Sequence, residues 1–235
     1  MVVMSTTIVG DVLIIGASRG LGAALVEQWV SAGRHVVATS RGGHTPLDDI
    51  AATDPGSVEV EHVDVTDVDQ IAALRRRLDG RSFGLLFVNA GVTDEADATV
   101  PEISTDEFVR LMVTNALSPL RVIDALEDLV VPGGMIGVMS SGQGSVANNT
   151  RGGHEVYRGS KAALNTFVRS YVARRGEDRG PVVLMAPGWV RTGLGGPGAR
   201  LTIEDSVPGV VATLDSLVDR PGLRYVDYQG RTVPW

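Results

Sequence analysis

The sequence predicts a single doubly wound α/β domain over residues 1–235, built on a parallel sheet of about seven strands flanked by helices. Three observations carry that prediction. Short continuous apolar runs alternate with amphipathic stretches along the chain, the pattern of strands buried on both faces and joined by crossover helices. The first apolar run passes directly into a glycine-rich turn and then a helix, as in a βα nucleotide-binding unit. At 235 residues the chain also stays below the roughly 250 at which one core usually gives way to two.

Taken in order, Val12–Ile15 reads as a buried strand. Residues 21–32 follow as a helix, with Leu21, Leu25, Val26 and Trp29 at helical spacing and Gly33 as its stop. Residues 35–39 and 58–63 are a second and third strand. Helical patterns near 67–79 and 104–130 flank a strand over 85–88. A strand over 135–139 precedes a helix over about 155–175. Residues 182–185 form a strand, followed by a Gly/Pro loop, a helix near 203–219 and a last strand near 224–226. The sequence carries no internal repeat or low-complexity segment. In such a sheet, ligands bind outside the carboxyl ends of the strands.

Composition narrows the function classes. The net charge of −7 argues against nucleic acid or an anionic membrane surface as the main partner. The chain has no cysteine, so disulfides, thiolate metal sites and cysteine nucleophiles are excluded. The four histidines, His35, His44, His62 and His154, lack paired ligand spacing, and no metal is expected. No apolar run approaches the roughly 18 residues of a membrane span, and the first basic residue is Arg19, so a signal peptide is not expected. A cytoplasmic location is the expectation. Arg75, Arg76 and Arg77 lie among Asp67, Asp69 and Asp79 and read as a solvated, ion-paired face.

Glycine makes up 29 of 235 residues, about 12% against a usual 7% or so. After the first strand comes Gly16-Ala17-Ser18-Arg19-Gly20-Leu21-Gly22. Glycines there allow a tight turn whose backbone N–H groups face a pyrophosphate at the helix N-terminus. An NAD site places a carboxylate at the end of the second strand to hold the ribose 2′-hydroxyl. This sequence has Thr39-Ser40-Arg41 instead. Arg41, with Arg19 from the turn, suits a 2′-phosphate, so NADP(H) is preferred over NAD(H).

With Arg 20 and Lys 1, the chain uses arginine wherever a generic positive charge serves. The one lysine, Lys161, lies four residues after Tyr157 near the start of a predicted helix, which puts both side chains on one face. With four tyrosines in 235 residues, a randomly placed lysine falls there about 4 times in 235. The chemistry supplies a reason: an adjacent ammonium lowers the pKa of a phenol and makes it a better acid–base.

Gly16-x-x-x-Gly20-x-Gly22, Asn89-Ala90-Gly91, a serine after the fifth strand and Tyr157-x-x-x-Lys161 together resemble the short-chain dehydrogenase/reductase family, in order and over essentially the whole chain. The segments Pro187-Gly188-Trp189-Val190-Arg191-Thr192 and 227–235 are similar to the C-factor-like carbonyl reductases of that family. The resemblance implies a Rossmann-type domain and a catalytic tetrad. Tyr157 would be the general acid for reduction of an aldehyde or ketone carbonyl, or the base for alcohol oxidation. Ser141 would bind the substrate oxygen, with Ser140 as the competing serine. Lys161 would hold the nicotinamide ribose and lower the phenol pKa, and Asn115 would support a water linking Lys161 to solvent. An asparagine inside a helix has poor propensity, which points to a specific hydrogen bond retaining it. Ser141 lies 16 residues before the tyrosine where the family commonly has 13, and an insertion over 148–153 accounts for the difference.

Asp64 and Val65 would meet the adenine, Asn89, Ala90 and Gly91 the adenosine side, and Pro187, Gly188, Val190 and Thr192 the nicotinamide end. Ile15 and Val88 replace the family's usual threonine and first asparagine. The family resemblance also implies a homodimer or homotetramer through 104–130 and 155–175. The glycine-rich segment 193–198 predicts a mobile loop, an open pocket and broad carbonyl specificity. The alternative function is a non-catalytic, cofactor-binding signalling or regulatory protein of the same fold. A reductase of carrier-bound acyl chains would need a basic docking patch, for which Arg151, Arg158 and Arg191 are the candidates. His154, three residues before Tyr157, reads as an ordinary surface histidine.

Overall fold

Leu13 and Ile15 of the first strand pack into one apolar layer while Val12 and Ile14 pack into the other, which is why the strand reads as an unbroken apolar run. A computed structural model of the chain describes residues 7–94, 99–176 and 180–235; residues 1–6, part of the stretch read for a leader, lie outside it. The elements are β1 (Asp11–Ile15), α1 (Gly20–Ser31), β2 (Val36–Ser40), α2 (Pro46–Thr53), β3 (Val58–His62), α3 (Val68–Arg77), β4 (Phe83–Val88), α4 (Thr105–Met112), α5 (Ser118–Leu126), β5 (Val130–Met139), α6 (Glu155–Arg175), β6 (Pro181–Ala186), α7 (Ile203–Asp215) and β7 (Gly222–Asp227). The seven strands form one parallel sheet in the order β3-β2-β1-β4-β5-β6-β7, as expected. Buried residues of α3, α5 and α6 pack on one face, and those of α1 and α7, with Leu47 of α2, on the other. Among the described residues, no helix is long and apolar enough to cross a membrane.

Two features differ from the sequence reading. Helix α2 was not predicted; it packs a short apolar face of Leu47, Ile50 and Ala51 on the core, with Leu47 its one fully buried residue. It starts on a capping interaction, in which the Asp48 carboxylate accepts the Thr45 N–H at 2.7 Å, followed by Pro46 in the first turn. The expected long helix over 104–130 is broken by a π-helical turn at Val113–Leu117, and strand β5 already begins at Val130. Pro119 explains the break. It has no N–H to give the Asn115 carbonyl four residues earlier, and its ring crowds that carbonyl.

The strand order reverses direction between β1 and β4, and the crevice outside their carboxyl ends is where such a sheet binds ligands. Gly16, at φ +88°, lets the two ends close up: a Cβ there would lie 2.7 Å from Ala90 Cα. The Gly16 N–H is taken by Thr39 Oγ1 at 2.9 Å and its carbonyl by Asn89 Nδ2 at 2.6 Å. Ile15 and Val88 are buried apolar residues, so polar contacts to this turn come from Thr39 and Asn89 instead.

Candidate active site

A cleft of about 980 Å³ runs along the carboxyl ends of the strands. On the β1–β3 side it is lined by Gly16, Ser18, Arg19, Gly20, Leu21, Ser40, Arg41, Asp64 and Val65. Asn89, Ala90 and Gly91 line its middle, and Ser141, Tyr157, Lys161, Pro187, Gly188, Val190 and Thr192 line the β5–β7 side. Two expected residues lie outside it. Gly22 is wedged between strand turns, where a Cβ would be 2.4 Å from the Gly16 carbonyl oxygen, so it serves packing. Asn115 is fully buried: Oδ1 accepts the Val92 N–H at 2.8 Å, while Nδ2 donates to the Val92 carbonyl at 2.8 Å and to Ser160 Oγ at 2.9 Å. Its side chain clamps the segment after Gly91 to α6, with both amide hydrogens committed.

The β1–β3 half fits a dinucleotide. Helix α1 begins at Arg19 with no side-chain cap and no acidic residue in its first turn, so its orphan N–H groups remain available to an anion. No carboxylate stands at the end of β2, and Arg19 and Arg41 are both exposed on the cleft. Thr66 holds the Asp64 carboxyl below the usual carboxylate range through side-chain and main-chain hydrogen bonds, aided by nearby Arg41. Ser40 Oγ is 3.1 Å from His62 Nδ1, which fixes the end of β2.

On the other half, the two candidate serines differ in their contacts. Ser140 is buried and donates to Asn165 Oδ1 at 2.6 Å. Ser141 instead faces Tyr157 and hydrogen bonds to it, while the Tyr225 hydroxyl donates to the Ser141 carbonyl. The Trp235 ring packs on Tyr225 with centroids 5.5 Å apart, so the chain's last residue braces the serine loop.

Burial pushes the Tyr157 phenol up to about 12, against the opposing Ser141 hydrogen bond. Burial also pushes the Lys161 ammonium down to about 8. Lys161 Nζ lies 5.9 Å from the Tyr157 ring centroid and donates to the Met139 carbonyl at 2.9 Å. The expected lowering of the phenol pKa by Lys161 is therefore outweighed by desolvation.

The sequence reading missed Asp94. It is nearly inaccessible, its side chain 1% exposed. One oxygen meets His154 Nδ1 at 2.9 Å and the other accepts the Tyr157 N–H at 2.9 Å. His154 is the residue just before α6 and sits at φ +50°, following Gly152 at +67° and Gly153 at +70°. This left-handed run turns the chain into α6 and brings His154 to the cleft wall, a place at the active-site entrance rather than on the open surface. The only sequence signal was an acid soon after Asn89-Ala90-Gly91, too generic to interpret. Asp94 thus caps α6 from a distant segment and holds the backbone of Tyr157. Asp94→Ala is expected to cost about 1–3 kcal/mol in urea unfolding, with Asp94→Asn costing less because it keeps an acceptor. An Ala variant as stable as wild type would show that the cap does not secure α6.

The 193–198 loop is tightly wound. Trp189 Nε1 donates to the Gly195 carbonyl at 2.8 Å, and the Gly195 N–H reaches Thr192 Oγ1 at 3.0 Å. A Cβ on Gly195 would lie 2.0 Å from the Val190 carbonyl oxygen, so glycine is required there by close approach. Of the arginines that could form only a weak basic patch, Arg191 donates to the Ala199 carbonyl and Arg158 to that of Gly153.

Residues 11–198 match the family model for short chain dehydrogenases. The C-signal protein of Myxococcus xanthus is 40% identical over 153 residues, 64% of this chain and 92% of that one. A structure described as a short-chain dehydrogenase/reductase from Burkholderia multivorans, with bound NADP, has a TM-score of 0.94 at 53% identity, covering 96% of this chain and 99% of its own. A carbonyl reductase from Pseudomonas aeruginosa PAO1 in complex with NADP has a TM-score of 0.88 at 34% identity, covering 96% of this chain and 99% of its own. Because the family model spans residues 11–198 and the structural likenesses cover 96% of the chain, it belongs to the short-chain dehydrogenase/reductase family and is an NAD(P)-dependent oxidoreductase.

Proposed function

We propose that the protein reduces aldehyde and ketone carbonyls with NADPH, or oxidises the corresponding alcohols, using Tyr157 as the general acid or base. The observation that carries this reading is the meeting of Tyr157, Ser141 and Lys161 in one cleft with an uncapped helix N-terminus and two exposed arginines. The bound cofactor supplies the hydride. Tyr157 gives its proton to the carbonyl oxygen as negative charge develops there, and the Ser141 hydroxyl donates to the same oxygen. Lys161 holds the nicotinamide ribose and stabilises the phenolate left behind. The Asn115 carbonyl holds the water through which Lys161 reaches solvent. Gly16, Ser18, Gly20 and Leu21 take the pyrophosphate side, Asp64 and Val65 the adenine, Asn89, Ala90 and Gly91 the adenosine side, and Pro187, Gly188, Val190 and Thr192 the nicotinamide end.

Arg41, with Arg19, takes the 2′-phosphate. Arg41→Ala should raise the NADPH dissociation constant roughly 10- to 100-fold, the worth of a charged hydrogen bond, while changing that for NADH by less than about threefold. Equal affinities for the two cofactors in wild type, or tighter NADH, would remove the assignment. The carbonyl reading is tested by NADPH consumption over aldehydes, ketones and diketones, with several expected to react. One substrate preferred by several orders of magnitude would contradict broad specificity. The likeness to C-signal leaves Tyr157 and Lys161 in place, which favours an enzyme over a purely regulatory protein. Phe108, Val109, Leu117 and Phe167 remain exposed on the α4–α6 side and supply an apolar face for the proposed homodimer or homotetramer.

A further inference from the structure

We infer that the substrate carries a planar aromatic group that stacks on Trp189 while its carbonyl reaches Tyr157 and Ser141. This rests on the reductase reading above and specifies its substrate class. The chain is sparing with aromatics, at 5% of residues, and has three tryptophans. Trp29 is buried and Trp235 braces the serine loop. Trp189 instead lies in the cleft with 54% of its surface exposed, beside Leu194 at 45%. Its place in the topology puts it on the catalytic side. It leaves the end of β6, between Ser141 after β5 and Tyr228 after β7, and the Ser140 N–H bonds to Met185 while the Tyr228 N–H bonds to Ala186. That is the opposite end of the sheet from Ser40, Arg41 and Asp64.

The ring is fixed and offers only its π-surface. Its one polar atom, Nε1, is committed to the Gly195 carbonyl. The ring edge rests at contact distance from Gly198, and more than half of the residue's surface stays exposed. Around it the cleft lining mixes the polar Ser141, Gln143, Asn148 and His154 with the apolar Val190 and Leu194. A large apolar surface held rigid in a ligand cleft gains free energy when a complementary surface covers it, and a flat π-system gains more than a saturated ring of equal size. The substrate this suits has a flat apolar body and a polar reacting end.

A matched pair of ketones tests it: acetophenone and cyclohexyl methyl ketone, compared by kcat/KM with NADPH. Wild type should favour the aryl ketone roughly tenfold, which corresponds to about 1.4 kcal/mol. Trp189→Leu, which keeps apolar bulk but loses the π-face, should bring the ratio close to one, and Trp189→Phe should retain part of it. Equal kcat/KM for the two ketones in wild type, or an unchanged ratio in Trp189→Leu, would overturn the stacking proposal and leave the reductase reading intact. A wild type that binds NADPH but consumes it with neither ketone nor any other carbonyl would overturn both.

Discussion

Tyr157→Phe should lower turnover with any carbonyl by about 10³-fold while leaving the NADPH dissociation constant within a factor of about three. The change deletes one hydroxyl from a fully enclosed ring, so packing is retained and the proton donor is lost. General acid catalysis is typically worth 10²–10⁴-fold. Burial keeps the phenol protonated at neutral pH, so the substitution removes a proton that every resting molecule carries. Ser141, which hydrogen bonds to Tyr157, cannot substitute, since an alcohol is a far weaker acid. Residual activity above about a tenth of wild type would take the proton-donor role from Tyr157.

Lys161→Met should separate activity from stability. Activity should fall by about 10²-fold or more, the loss expected when a preorganised charge is removed from beside developing negative charge. Stability should rise. In the folded protein burial lowers the Lys161 pKa to about 8 from 10.5, so below pH 8 the fold carries the penalty of an enclosed ammonium, about 3 kcal/mol at 1.36 kcal/mol per unit. As pH rises from 8 to 10.5 the unfolded chain stays protonated while the folded one does not, and wild-type stability from this group increases with pH across that window. The Met variant lacks that dependence. Loss of the hydrogen bond to the Met139 carbonyl offsets part of the gain, leaving roughly 1–2 kcal/mol at pH 7 in urea unfolding. Wild-type reduction should also be level below pH 8 and decline above it as the ammonium is lost. A Met variant less stable than wild type at pH 7, or a reduction rate that climbs steadily through pH 9, would contradict this account.

How much of this was legible in the sequence follows from how local each signal is. The strands were readable because burial on both faces leaves little room for polar residues, as in Phe83–Val88, where all six positions are buried. Tyr157 and Lys161 were readable because their spacing is helical and the lysine has no duplicate in the chain. Helix α2 was not, because eight residues hold only one turn of apolar spacing, Leu47, Ile50 and Ala51; its clearer signal was the Thr45–Asp48 cap. The break at Val113–Leu117 was foreshadowed by Pro119, whose effect falls on Asn115 four residues before it. Asp94 was beyond reach of the sequence. Its partners lie 60 and 63 residues away, on a segment that enters α6 through three left-handed residues. The pKa of the phenol was misjudged for a related reason: the sequence shows the neighbouring charge but not the depth of burial.

The most direct test of the central claim is the stoichiometry of wild-type protein given limiting NADPH and an excess of aryl ketone, with cofactor and alcohol both quantified. The account predicts one alcohol formed for each NADPH consumed. NADPH that binds and is never consumed, whatever carbonyl is supplied, would contradict it.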